Sequence, residues 1–143
     1  MRWTDVKGSK LVSTTTADTV GKVNGFLLDP ASRRLVALQF KKTPQGKYAR
    51  WGDLAGVGGD AVTIAETDKI TDADDQLSGF VGKDHEVLKK RVLSTEGDEL
   101  GKVRDIEFDP DTGTLQALVV DGNEVHASRL VGVGSWAVVV ETD

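Results

Sequence analysis

The stretch Val20-Gly21-Lys22-Val23-Asn24-Gly25-Phe26-Leu27-Leu28-Asp29-Pro30 returns 80 residues later as Leu100-Gly101-Lys102-Val103-Arg104-Asp105-Ile106-Glu107-Phe108-Asp109-Pro110. The correspondence runs on either side: Lys10, Val12, Thr15, Asp18, Leu35, Ala37 and Leu38 each meet the identical residue at the same offset of 80. Further on the offset falls to 76, where Leu54, Gly56, Val57, Gly58, Ala61 and Val62 match Leu130, Gly132, Val133, Gly134, Ala137 and Val138. Identities held in order over such a span mark an internal repeat. The drop in offset places an insertion in the first copy around Lys41 to Lys47, where Thr43-Pro44-Gln45-Gly46 reads as a longer hairpin loop.

The repeat divides the chain into a first copy over 1–66 and a second over 84–143, with 67–83 between them. That connector carries Asp68, Asp72, Asp74 and Asp75 close to Gly79 and Gly82, and its apolar residues are sparse. It reads as an acidic, solvated linker with one helical turn near Asp72–Leu77; an acidic docking segment is the functional alternative.

Within each copy, short apolar runs alternate with turn chemistry. Ile106 and Phe108 alternate with Glu107 and Asp109, and Asp109-Pro110-Asp111-Thr112-Gly113 supplies a turn. Leu115 to Val120, Val125 to Ala127 and Ala137 to Val140 complete the second copy's strands, with a tight turn at Asp121-Gly122-Asn123. Phe26–Leu28, Leu35–Phe40, Tyr48–Trp51 and Val62–Ala65 are their counterparts, while Lys10–Thr14 and Arg91–Ser94 open each copy. No window sustains a helical period, so the fold class is all-β with little helix.

A copy of about 60 residues buries only ~60% of its unfolded surface, which is marginal for one core. Closure into a barrel removes unpaired strand edges, and packing on a neighbour adds core. The expectation is two small barrels, related by a pseudo-twofold and touching.

Composition bounds the function. The chain has 143 residues with no cysteine, two histidines and a formal charge of −5. Absence of cysteine removes thiol catalysis, thiolate metal sites and disulfides. The negative charge disfavours nucleic acid and anionic membranes as partners. No run approaches the ~18 apolar residues of a membrane span, and the start, Met1-Arg2-Trp3-Thr4-Asp5-Val6, has no apolar leader region, so the expected location is cytoplasmic.

The Gly-Lys-Val strand, its alternating continuation, the Asp-Pro turn and the apolar strand that follows resemble the PRC-barrel family. These elements stand as Gly21-Lys22-Val23 through Asp29-Pro30 to Leu35–Phe40, and as Gly101-Lys102-Val103 through Asp109-Pro110 to Leu115–Val120. The trailing Leu54-Ala55-Gly56-Val57 and Leu130-Val131-Gly132-Val133 fit as well. The resemblance implies a small β-barrel used as a docking module, as in a photosynthetic reaction-centre subunit and a ribosome maturation factor. This chain shows neither a membrane anchor nor another domain ahead of the barrel, which points to the stand-alone bacterial and archaeal members.

No motif carries catalysis. His126, between Val125 and Ala127, alternates outward, and His85 sits at the linker edge. Ser135 stands where the first copy has Gly59, which marks a turn rather than a nucleophile. Asp109-Pro110-Asp111-Thr112-Gly113 lacks the distal acidic ligands of a calcium loop. Gly56-Val57-Gly58-Gly59 has no Lys-Ser/Thr after it, so it is not a phosphate loop. Arg33-Arg34, Lys41-Lys42 and Lys89-Lys90-Arg91 are basic clusters, but no aromatic residue neighbours Lys89–Arg91. The reading is therefore no catalytic, cofactor or metal residue.

The aromatic residues point to contacts instead. Trp136 occupies the place of Asp60, so it is either partly exposed or buried between the copies, and it is the first candidate for a contact residue. Trp51 matches Ala127 and is expected to fill the first barrel or a flank; Tyr48 and Arg129 complete the candidate interface. The function expected is a non-catalytic protein–protein interaction or scaffold module with an unidentified protein partner, with a homodimer left open. The alternative is an RNA- or ribosome-associated module.

Overall fold

The computed structural model describes residues 1–141, apart from the side chain of Lys42. The first copy builds β1 (Lys10–Ser13), β2 (Thr19–Asp29), β3 (Arg34–Thr43), β4 (Gly46–Arg50), β5 (Leu54–Val57) and β6 (Ala61–Ile64). The second repeats them as β7 (Arg91–Ser94), β8 (Glu99–Phe108), β9 (Leu115–Val120), β10 (Asn123–His126), β11 (Leu130–Val133) and β12 (Ala137–Val140). Two one-turn helices, α1 (Trp3–Val6) and α2 (Asp75–Ser78), precede the strands of the first and second copy respectively. The last two residues of the expected second copy, 142 and 143, lie outside the described residues.

Each copy forms a six-stranded sheet, in the orders β4-β3-β2-β1-β6-β5 and β10-β9-β8-β7-β12-β11. The edge strands β4 and β5 are joined only by a three-residue 3-10 turn, Trp51–Asp53, and β10 and β11 by Ala127–Arg129. Three residues span at most about 11 Å, whereas the edges of a flat six-stranded sheet lie about 24 Å apart. The sheets must curl until their edges approach, which is the barrel shape. The bend falls in β2 and β8: their first halves pair with β1 and β7, their second halves with β3 and β9. A register shift at Val23/Gly25 and at Val103/Asp105 marks the bulge that permits it.

The repeat needs one correction of register. Lys10 pairs with Lys22 and Ala61, while Arg91, not Lys90, pairs with Lys102 and Ala137. The first strands therefore correspond at an offset of 81, and the identities of Lys10, Val12 and Thr15 at 80 are out of structural step. The turn between the first two strands absorbs the difference: Ser13 N–H bonds Asp18 O, but Ser94 N–H bonds Asp98 O.

The linker is less solvated than expected. Its helical turn, α2, is capped by the Asp74 carboxylate, which accepts from Leu77 N–H at 2.9 Å. Ile70 and Leu77 are buried, however, and Thr71 adds to the edge of β4 by bonding Tyr48 N–H and C=O. The insertion in the first copy makes this seat. It lengthens the β3–β4 hairpin to a Thr43–Gly46 pair, and a Cβ on Gly46 would stand 2.3 Å from the Thr71 carbonyl carbon. Leu77 then packs with Leu27, Ala37 and Tyr48 on the outer face of the first sheet.

The main core is continuous across the copies. Val23, Leu35, Phe40, Trp51 and Ile64 belong to the same buried cluster as Val103, Phe108, Leu115, Val125 and Val140. Two copies that are each marginal in size thus share one apolar interior.

Candidate interaction surfaces

The copies meet at their Asp-Pro turns. Leu35 N–H donates to Gly113 O at 2.7 Å, and Leu115 N–H donates to Arg33 O at 2.8 Å. Each bond is the image of the other at an offset of 80, and Arg34 bridges its own counterpart, Thr114. The pseudo-twofold axis therefore passes between Arg34 and Thr114. Side chains reinforce the joint: Arg33 reaches Leu130 O at 2.9 Å and Arg34 reaches Thr112 O at 3.0 Å.

Trp51 belongs to this joint. It is buried, its Nε1–H donates to Pro110 O at 3.0 Å, and its ring meets Phe108 edge-on at 5.6 Å between centroids. Of the two expected positions, barrel interior or flank, the indole takes the flank that faces the second copy, since Phe108 and Pro110 are second-copy residues. The 3-10 turn after β4 aims the indole across the axis.

The N-terminal segment straddles the copies. Trp3 stacks edge-on with Phe26 of β2, while Thr4 donates its N–H and Oγ1–H to the buried Asp105 of β8 at 3.3 and 2.7 Å. Met1 exchanges backbone bonds with Phe108, and Arg2 pairs with Glu124 at 2.9 Å. α1 is thus a strap from the first copy onto the second.

The other candidate residues lie elsewhere. Trp136 is 63% exposed, outside the joint, with the Arg91 guanidinium 4.5 Å from its ring centroid. Tyr48 is buried beneath the linker; burial, then the charge of Asp72, pushes its phenol pKa up. Arg129 Nε donates to Glu141 O at 2.7 Å and ties the end of β12 to the second 3-10 turn. His126 is exposed, and its Nδ1 accepts from Ser128 N–H to cap that turn. Ser135 lies in the bend before β12, as its glycine counterpart foretold. Among the described residues no three His, Cys, Asp or Glu side chains converge on a point that could hold a metal.

Comparison of the copies reveals an unmatched edge. Tyr48 faces Gln39, and Glu124 faces Val119, the same rung of each sheet. Tyr48 turns its backbone N–H and C=O outward to Thr71, so those of Glu124 also point away from β9. Among the described residues no segment pairs with them. The surrounding face changes to match: Leu27, Val36 and Tyr48 are replaced by Glu107, Gln116 and Glu124. Sequence reasoning missed this edge because it appears only when one copy is covered and the other is not.

A second feature was also invisible along the chain. A cleft of about 300 Å³ is lined by Lys83, Lys89, Lys90, Arg91, Lys102 and Trp136. The basic run Lys89–Arg91 has an aromatic neighbour after all, brought 45 residues back by the parallel pairing of β7 with β12. Lys90 Nζ donates to the carbonyls of Gly134 and Lys83, and burial lowers its ammonium pKa despite the charges of Glu86 and Asp84.

No curated protein matches the chain. Residues 82–142, which hold β7 to β12, match the PRC-barrel domain. The first copy repeats their strand order and all four of their register shifts. The second half of this chain is thus what resembles the PRC-barrel domain, and the first half is a second version of the same architecture packed against it.

Proposed function

We propose that the protein is a non-catalytic interaction module that receives an extended protein segment along β10. The observation that carries this reading is the inequality of the two copies. On the first, the outer edge at Tyr48 is occupied by Thr71 of the linker. On the second, the same rung at Glu124 presents a backbone donor and acceptor that no segment among the described residues pairs, on an exposed edge strand. A partner strand would occupy the second edge as Thr71 occupies the first, with main-chain bonds giving affinity. The shared core holds the two copies as one body, so the covered copy acts as a rigid support for the open one.

Substitution Glu124→Pro tests this. Proline lacks the outward N–H and is tolerated on an edge strand where that group has no partner. Affinity capture with the wild-type chain, read by mass spectrometry, should yield proteins that the variant loses while its thermal unfolding changes little, the exposed Arg2–Glu124 pair that it also removes being worth about 1 kcal/mol at most. An identical captured set from both chains defeats the proposal. Light scattering on the same pair reads self-association through this edge, which is defeat in another form if it accounts for all the binding.

A further inference from the structure

We propose that the cleft between β7 and the β11–β12 turn binds a nucleotide, its phosphates on the lysine cluster and its base on the open face of Trp136. Five cations line the cleft with one acid, Glu86; Glu99 pairs with Arg91 at 3.7 Å and the charge of Asp84 also reaches Lys90, which leaves a cationic excess on a chain whose net charge is −5. Positive charge is therefore concentrated at one place, which suits a compact anion better than a long one. Trp136, 63% exposed, offers the flat apolar surface that a base needs, and Arg91 backs it at 4.5 Å. An acidic peptide would gain from the lysines but not from the indole.

The first copy serves as an internal control. In structural register Lys89, Lys90, Arg91 and Trp136 stand where that copy has Gly8, Ser9, Lys10 and Asp60. The barrel therefore folds without the cluster. Lys89 is also held at φ +66°, the left-handed conformation that Gly8 adopts at +82° in the first copy. A lysine there is strained where a glycine is not, so Lys89 stands at the cleft against its backbone preference. Lys90 adds a half-buried ammonium hydrogen-bonded to backbone carbonyls, its charge offset in part by Glu86 and Asp84, and an incoming phosphate would add to that compensation.

The test uses Lys89→Gly and Trp136→Asp, each the first copy's own residue at that place, in the full chain. Binding of adenosine diphosphate is measured by calorimetry and by quenching of tryptophan emission, to which the exposed Trp136 is open while Trp3 and Trp51 are buried. The expected result is quenching that weakens with salt, with affinity reduced roughly tenfold or more in Trp136→Asp. Lys89→Gly should bind several-fold more weakly yet unfold at the same or a higher temperature. A 5′-phosphorylated hexa-adenylate in parallel separates two sources of the same chemistry: affinity well above that of the diphosphate assigns the site to a strand end, and equal affinity to a free nucleotide. No heat and no quenching with either probe overturns the proposal. So does unchanged binding in both variants, or capture of a hexaglutamate peptide without any response to the diphosphate.

Discussion

The indole of Trp51 lies where any side chain on Gly113 would go. A Cβ on Gly113 would stand 3.0 Å from the ring and 2.5 Å from Leu35 O, and the residue is at φ +79°. The opposite side of the pseudo-twofold is built in reverse. There Ala127 replaces Trp51, and the glycine's counterpart is Arg33, also at positive φ. One large side chain fills each side of the joint, and both come from the first copy: the Trp51 indole on one side and Arg33 on the other.

Gly113→Ala should therefore cost more than its backbone strain of about 1 kcal/mol, since overpacking adds roughly 1–3 kcal/mol. Trp51→Ala should cost about 3–5 kcal/mol by leaving a cavity against Phe108. The two should be non-additive in denaturant unfolding, with the alanine at 113 cheaper once the indole is gone.

Thr4→Val keeps the shape of the strap but removes the hydroxyl donor of a buried carboxylate, Asp105. A loss of about 1–3 kcal/mol is expected. Hydrogen exchange should quicken along α1 and at the Met1–Phe108 bonds first, because those contacts depend on the strap.

Gly46→Ala should unseat the linker. The added methyl meets main chain at Thr71 and Asp72, which cannot turn aside as a side chain would. Exchange at the Tyr48 and Thr71 amides should rise sharply while the β8–β9 ladder stays protected. Equal protection in both would show that the linker can shift.

Acid should loosen the linker before the core. The Leu77 N–H bond, then the Arg50 guanidinium, holds the Asp74 carboxyl pKa below its usual 3.8. A folded-state pKa below the unfolded one gives stabilisation that is complete above the unfolded pKa and lost as pH falls through the folded one. The Leu77 amide should lose protection below about pH 4, and Asp74→Ala should abolish that acid step.

Much of this was legible in the chain. The Asp-Pro turns, the apolar run Leu115–Val120 and the glycine-for-serine exchange at 59 and 135 are local signals, and the structure places each in the element they indicate. The starts of β2 and β8 carry no apolar alternation, Thr19–Lys22 and Glu99–Lys102 being exposed or half-buried, so only the family resemblance marks Gly21-Lys22 and Gly101-Lys102 as strand and nothing marks Thr19-Val20 or Glu99-Leu100. Leu54–Val57 and Leu130–Val133 were noted for their composition, but glycine hid their strand character.

By itself the sequence determined that one module is used twice, that it is β-structured, and where its turns fall, because repetition and turn chemistry are properties of neighbours along the chain. Tertiary structure decided how the copies differ in use. Trp51 crosses the axis, the linker covers one edge and leaves the other, and Trp136 comes to rest over Arg91. Each outcome depends on groups far apart in sequence sharing buried surface or a hydrogen bond, and such long-range pairings leave no local pattern to read.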